Sequence, residues 1–210
     1  DVYLDAVFYP RLTPETLAQE GWHYELEEPN DPLTFKGVVF NEMKGAYASP
    51  DSLLGRYREQ VLFPDNVYSN DSGGDPEVIP DLSYEQFRSF HRLYYHPSNA
   101  RIFFYGDDDP EERLRLLDAD LPDFDALPID SAISLQPRLS EPRRIIYPYP
   151  AGEEQASKAM VTENWMLREN DEPTETLALN ILSHVLAEPP AAPLRKALID
   201  PGSGEAVIGG

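Results

Sequence analysis

The sequence has no cysteine among its 210 residues, so disulfide bonds and thiolate metal ligands are excluded. It has no run of about 18 apolar residues, so it offers no candidate for a membrane-spanning helix. No basic segment followed by an apolar stretch opens the chain, and no signal peptide is visible. The absence of cysteine is more typical of intracellular proteins, and we therefore expect an intracellular compartment.

Basic residues are scarce, because 17 Lys and Arg stand against 38 Asp and Glu, for a net charge of -21. Nucleic acid is therefore excluded as a partner, since binding it requires a basic surface that displaces counterions. The acidity has two interpretations. It can create a negative field that attracts basic peptides, or it can simply keep the surface solvated. The acidic residues are spread along the whole chain, which favours solvation.

Capping and periodicity signals predict an α+β fold, with antiparallel sheet and helices packed on one face, twice. Thr13-Pro14-Glu15 is a helix start, the segment 29–32 is a turn, and 66–81 is a long loop. The remaining helices are predicted at about 35–48, 52–62, 83–95, from 109 onward, 174–186 and 193–199. Strands are predicted at 101–105 and 159–167.

Six prolines between Leu121 and Pro150 form an extended linker, which predicts a domain boundary there. The domains are then 1–121, a linker 122–150, and 151–210. The chain opens inside an amphipathic pattern and ends directly after an apolar stretch. We therefore expect a fragment, whose first domain is incomplete at its N-terminus and whose second is incomplete at its C-terminus.

One carboxylate stands out in the helix predicted at 35–48. At about 100° per residue, Glu42 lies between Val38 and Ala46 and close to Val39 and Met43, inside an apolar stripe. An unpaired carboxylate is costly to bury, so such a residue needs a cation, a metal or a hydrogen-bond cluster. Geometry alone leaves two interpretations open, a structural ion pair at the edge of the stripe or a metal ligand, and ion pairs are the commoner of the two.

The segment 38–45, Val-Val-Phe-Asn-Glu-Met-Lys-Gly, resembles the distal-ligand helix of the presequence-protease branch of the pitrilysin/insulinase-type zinc metallopeptidases. The resemblance is collinear over nearly the whole chain and is weakest between 121 and 156. Further segments that carry it are 19–25, 68–76, 96–100, 103–107, 164–167 and 193–198.

This resemblance implies a zinc metalloendopeptidase of the inverted-zincin type. In that family an H-x-x-E-H helix supplies two His ligands and a general-base Glu, and a Glu on a later helix is the third ligand. Glu42 is the matching third ligand. The sequence contains no H-x-x-E-H, so the general base and the other ligands are expected upstream of Asp1, and this chain alone is expected to be inactive. Some relatives carry a second Glu seven positions before the distal ligand, but Phe35 stands there.

Four other features have structural explanations that we favour over functional ones. His23 beside Trp22 is expected to be packed, or to support a ligand from behind. The segment 72–76, Ser-Gly-Gly-Asp-Pro, is expected to be a turn, because it lacks the Lys of a phosphate-binding loop. Asp107-Asp108-Asp109 is expected to cap a helix and not to hold a cation, and the aromatic run Phe87, Phe90, Tyr94 and Tyr95 is expected to be core.

The resemblance implies a longer parent enzyme that degrades short unstructured peptides, such as targeting presequences, some of them basic. The parent would act in the cytoplasm of a bacterium, or in the mitochondrial matrix or plastid stroma of a eukaryote. Its partners would be those peptides and the remainder of its own polypeptide, with no membrane insertion. The alternative is a non-catalytic family member that serves as a binding or scaffold subunit.

Overall fold

The computed structural model describes residues 2–152, 158–202, 204 and 206–207. They fold as a mainly helical α+β chain with a small antiparallel sheet, so the predicted fold class is confirmed at that level. The α-helices are α1 (Val2–Phe8), α2 (Pro14–Thr16), α3 (Val38–Ala46), α4 (Pro50–Leu62), α5 (Tyr84–Tyr94), α6 (Pro110–Asp120), α7 (Pro173–Ala187) and α8 (Pro193–Ile199). A π-helical turn (Leu17–Gly21) extends α2, and 3-10 turns lie at Val67–Ser69, Ile79–Asp81 and Pro97–Asn99. The strands are β1 (His23–Glu25) and β2 (Thr34–Lys36).

Three of the helices begin at a short polar residue whose side chain caps them. The Thr13 Oγ1 accepts the Thr16 N–H at 3.2 Å, and Pro14 occupies the first helical position. Ser83 forms a capping box with Gln86 at the start of α5. Asp109 caps α6 by accepting the Glu111 N–H at 2.9 Å, which confirms the predicted role of the Asp triplet.

The start of α3 differs from the prediction, because Phe35 and Lys36 lie in strand β2 of a hairpin where the helix was expected to begin. The strands β1 and β2 pair with Tyr24 opposite Phe35, and the predicted turn between them is confirmed by the Asp31 N–H bonding the Glu28 carbonyl at 3.0 Å. Gly37 then takes a φ of 145°, which L side chains rarely adopt. This backbone break ends the strand and starts the helix, so α3 begins at Val38 and not near Phe35.

The largest described core cluster packs one face of α3 against the long loop. Phe40 and Met43 are buried with Ile79, and Trp22 and Tyr47 pack around them. The Trp22 Nε1 also donates a hydrogen bond to the Leu82 carbonyl at 3.2 Å, which connects the end of the π-helical turn to the residue after the Ile79–Asp81 turn. The helix α3 is therefore held between the π-helical turn and the loop that was predicted at 66–81.

Two predicted strands are wrong for the described residues. Residues 101–105 and 159–167 have no strand pairing, and their apolar side chains are open to solvent, with Tyr105 95% and Val161 92% exposed. A strand requires a neighbouring backbone to complete its hydrogen bonds, and alternation in sequence does not supply one. The predicted aromatic core of α5 is also wrong, because Phe90, Tyr94 and Tyr95 are exposed.

The contacts between residues divide the chain into two compact units, Asp1–Thr162 and Glu163–Gly210. The second unit carries α7 and α8, with Ala187 and Ala192 buried. The predicted linker at 122–150 and the domain bounds around it stay a prediction, as does the twofold sheet-and-helix arrangement. No helix among the described residues combines the length and the apolar character that crossing a membrane requires.

Two glycines near α3 give a matched test of how this helix is anchored. A Cβ on Gly37 would lie within 3.0 Å of the Gly21 carbonyl and the Trp22 Cα, whereas a Cβ on Gly45 would meet nothing within 4 Å. We expect Gly37→Ala to lower the free energy of unfolding by about 2 kcal/mol or more, through overlap and an unfavourable φ. Gly45→Ala should raise it by about 0.5–1 kcal/mol, because alanine is the better helix former. Urea unfolding of both variants measures the difference, and equal effects would contradict the anchoring.

Candidate functional site

Glu42 lies in the middle of α3, on the face opposite the core. Around the helix axis, the buried residues Phe40 and Met43 lie about 160° and about 100° from it. Glu42 is exposed, and so are its neighbours on that face, Val38 (54%) and Val39. The predicted apolar surroundings of Glu42 are therefore present, but the prediction that they form a buried stripe is wrong, because the helix packs through its other face.

The carboxylate of Glu42 has no hydrogen bond or ion pair with any described residue, so the described residues offer no structural ion pair to explain it. The side chain of Lys36 pairs with other carboxylates. Lys36, on β2, pairs with Glu27 at 2.9 Å and lies 3.8 Å from Glu25. The hydrogen bond to Glu27 holds the pKa of Lys36 above its usual value, and the same contact lowers the pKa of Glu27.

The long loop reaches the core side of α3 through a close glycine contact. Gly73 lies directly against the Met43 side chain, where a Cβ would overlap the sulfur, and Gly74 has a φ of 92°. The Gly74 N–H bonds the Asp71 carbonyl at 3.1 Å, so the segment 72–76 begins with a turn, as predicted. The loop thus supports α3 from the side opposite Glu42.

Four side chains lock this loop to α3 and α4. The Tyr47 hydroxyl donates to the Asp71 carboxylate, and Arg56 pairs with Asp75. The Arg56 guanidinium also lies 4.5 Å above the Tyr47 ring, which adds a cation–π contact between the two pairs. Sequence reasoning missed this network. Its only signal was the density of Asn, Asp, Ser and Gly in the loop, which indicates turns but not their partners.

An aromatic chain fixes the other end of α3. Phe35 lies 5.1 Å from the Tyr24 ring, 5.8 Å from Trp22 and 5.9 Å from Phe40, measured between ring centroids. Contacts of this kind stabilise beyond the area they bury. Phe35 is thus a packing residue that connects the hairpin to α3, and it offers no carboxylate at the position where some relatives carry a second Glu.

The four histidines are engaged in local structure and do not gather near Glu42 as a ligand set. The His23 Nδ1 lies 2.6 Å from the Ala18 carbonyl, in agreement with a packed role. His91 Nε2 lies 2.9 Å from the Val7 carbonyl, and His184 Nδ1 lies 2.6 Å from the Glu188 carboxylate. His96 accepts the Ser98 N–H at 3.1 Å. Within the described ranges, no three His, Asp or Glu side chains are grouped so that they could hold a metal ion.

The donor set therefore fits a zinc ion only in part. Glu42 is the type of oxygen ligand that zinc accepts, it is exposed, and no described cation competes for its charge. A complete site needs further ligands, and the described residues do not bring them to α3. The geometry supports a single-ligand contribution from this chain.

The Tyr47–Asp71 contact gives a pH test of the loop network. Burial raises the pKa of Tyr47 to about 12, and the hydrogen bond to Asp71 adds to the effect. Because the folded protein holds this proton more tightly than the unfolded chain, the contribution is present below pH 10 and is lost as the pH rises toward 12. We expect Tyr47→Phe to remove the last step of the phenol absorbance titration. Tyr105→Phe, which removes an exposed phenol, should leave that step in place, and its loss there would refute the assignment.

Comparison with known proteins gives the family. A family model described as "Peptidase M16 inactive domain" matches residues 81–210. The chain is 52% identical over 215 residues to presequence protease 1, chloroplastic/mitochondrial, of Arabidopsis thaliana, covering 99% of this chain and 20% of that protein. It is 44% identical to protein HypA of Clostridium perfringens, covering 100% of this chain and 22% of that protein. It is 40% identical to the mitochondrial presequence protease of Mus musculus, covering 97% of this chain and 20% of that protein.

The chain spans about a fifth of the length of the curated relatives that it matches. Two of these relatives are named as presequence proteases, and the family model covers the second half of the chain, including α5 to α8. The matches run over almost the whole chain, in agreement with the collinear resemblance found in the sequence. The chain therefore belongs to the presequence-protease branch of the pitrilysin-type peptidase family.

Proposed function

We propose that the chain is part of a zinc-dependent metalloendopeptidase that degrades short unstructured peptides such as targeting presequences, and that Glu42 is one ligand of its zinc ion. The observation that carries the proposal is an exposed carboxylate without a cation partner, on a helix that is anchored on its opposite face. The names of the relatives support a peptidase.

The surroundings of Glu42 suit a ligand better than a surface charge. A solvated Glu needs no fixed backbone, yet α3 is held by Gly37 at its start and by Gly73 against Met43. Holding the helix fixes the carboxylate in space, which is what a metal site requires of each ligand. The apolar side chains of Val38 and Val39 beside it would exclude water once this face is covered, and would strengthen its interaction with a cation.

Zinc, when bound, supplies Lewis acidity toward a water molecule and the scissile carbonyl. The role of this chain is to present the Glu42 carboxylate without a competing partner. In the longer parent, the H-x-x-E-H motif that the family resemblance implies would supply the two His ligands and the general-base Glu. On its own the chain would supply one ligand of three and be inactive.

The parent would act on peptides in the compartment where targeting sequences are removed. The relatives named above are chloroplastic, mitochondrial or bacterial proteins, and we propose a plastid stroma or mitochondrial matrix location in a eukaryote, or the cytoplasm in a bacterium. The alternative is a scaffold subunit without catalysis. The unpaired Glu42 favours the enzyme, because a scaffold has no need of a positioned free carboxylate.

Replacing Glu42 tests the proposal in the full-length parent. We expect Glu42→Gln to lower zinc content and to reduce peptide turnover by about a hundredfold or more, because the amide lacks the charge that zinc prefers. The melting temperature should change little, since no described contact is lost. Zinc content, turnover and melting are measured on the same preparation.

Glu85→Gln is the matched control, because Glu85 is also exposed on a helix and has no described hydrogen bond or ion pair. It should retain wild-type zinc content and turnover. A Glu42→Gln parent with normal zinc and normal turnover would remove Glu42 from the site. A wild-type parent that neither binds zinc nor cleaves an unstructured peptide would favour the scaffold alternative.

Salt dependence tests whether the acidity serves substrate attraction. If the net charge of -21 draws basic peptides to the parent, kcat/KM for a basic presequence peptide should fall severalfold as salt rises from about 0.05 M to about 0.5 M. A neutral peptide of the same length is the control and should respond weakly. If kcat/KM for the two peptides falls equally with salt, the acidic residues serve surface solvation and do not attract the substrate.

A further inference from the structure

The first unit contains a second feature that the proposed peptidase does not use, a basic cavity of about 620 Å³. One face of α5 forms its longest wall, since Tyr84, Arg88, His91, Arg92 and Tyr95 recur at helical spacing and all line the cavity. The last residue of α1, the segment after it and the loop after α6 complete the lining, through Phe8, Leu12, Phe124 and Leu127.

The charge of this cavity is opposite to that of the chain. The chain has 38 Asp and Glu, yet none of those that the structure describes lines the cavity. The guanidinium groups of Arg88 and Arg92 have no hydrogen bond or ion pair with any described residue, so their positive charge is not neutralised within the described protein. Asp5, Asp120 and Asp123 lie near Tyr9, whose pKa is raised by burial and by these three charges. None of the three lines the cavity.

His96 adds a buried donor to this wall. Its side chain is only 8% exposed, and its Nδ1 accepts the Ser98 N–H at 3.1 Å. In the neutral ring that contact leaves the proton on Nε2, which meets no hydrogen-bond acceptor among the described residues. The ring also packs edge-on against Phe124 at 5.3 Å, which fixes its orientation.

Two hydrogen bonds join α5 to the chain at and after the end of α1. The Tyr84 hydroxyl donates to the Leu12 carbonyl at 2.7 Å, and His91 Nε2 lies 2.9 Å from the Val7 carbonyl. The rings of Phe8 and Phe124 lie 5.6 Å apart and supply apolar surface to the lining. Volume, apolar walls and a few converging donors are the features of small-ligand sites.

We propose that this cavity binds an amphipathic carboxylate, a single carboxyl group attached to an aromatic or aliphatic body. Arginine presents paired N–H donors that match a carboxylate, and the apolar wall takes the hydrophobic body. Such a ligand can be the C-terminal residue of a short peptide or a free carboxylic acid, and the two share the same recognition. The site is independent of Glu42 and of zinc.

Isothermal titration calorimetry on the full chain compares four compounds: the tripeptide Ala-Ala-Phe, its C-terminal amide, 3-phenylpropionate and acetate. We expect Ala-Ala-Phe, 3-phenylpropionate or both to bind at least about tenfold more tightly than the two other compounds. The amide lacks the carboxylate charge, and acetate lacks the apolar body. Binding of the tripeptide alone identifies a peptide C-terminus as the ligand, and comparable binding of both acids identifies the free-acid class.

The double substitution Arg88→Gln and Arg92→Gln should weaken binding of the acid by at least about tenfold. The double substitution Arg143→Gln and Arg144→Gln, which removes two exposed arginines outside the cavity, is the charge-matched control and should bind within about twofold of wild type.

Circular dichroism confirms that each variant is folded, and the comparison of acid with amide on the wild-type chain stands even if a variant does not fold. The proposal is overturned if amide and acid bind equally, if the control loses as much binding as the cavity variant, or if no acid binds at about 5 mM.

Discussion

The backbone contact of Gly37 with Gly21 and Trp22 is the constraint on which the rest of this region depends. No side chain fits between these segments, so the chain turns from β2 directly into α3. That turn points Phe40 and Met43 toward Ile79 and Trp22, where they form the core cluster. The same rotation of the helix leaves Glu42 on the outside, with Val38 and Val39 as its neighbours. Position and exposure of the carboxylate thus follow from a contact of backbone atoms.

The charged side chains of this chain differ in how exposed they are and in whether they have a partner. Most acidic side chains are exposed along a surface of net charge -21, and the pairs that do form on it, such as Arg115 with Glu112 or Lys196 with Asp200, contribute little in water. The Arg56–Asp75 pair is less exposed, and the Arg56 guanidinium also stacks on the Tyr47 ring. These contacts connect the loop to α4 and to the end of α3. Glu42, Arg88 and Arg92 have no partner in the described structure, and their positions distinguish them from other surface charges. Glu42 lies beside Val38 and Val39, and the two arginines line the cavity along α5.

Sequence reasoning predicted what is encoded locally. Side-chain caps at Thr13, Ser83 and Asp109 set three helix starts through contacts within a few residues, and the helices predicted to begin there are confirmed. It did not predict which face of a helix is covered, because that depends on neighbours distant in sequence. The Glu42 stripe and the aromatic face of α5 were both expected to be buried and are exposed. The strand β2 was missed because Phe35 continues the apolar pattern of α3, and only Gly37 marks the break.

The most direct measurement of the central claim is a crystal structure of the full-length parent with zinc, refined with the metal identified by anomalous scattering. We expect a Glu42 carboxylate oxygen about 2.0–2.2 Å from the ion, with Gly37 packed against Gly21 and Trp22 at the start of α3. A zinc ion coordinated without Glu42, its carboxylate more than about 4 Å away or paired with a cation, would contradict it.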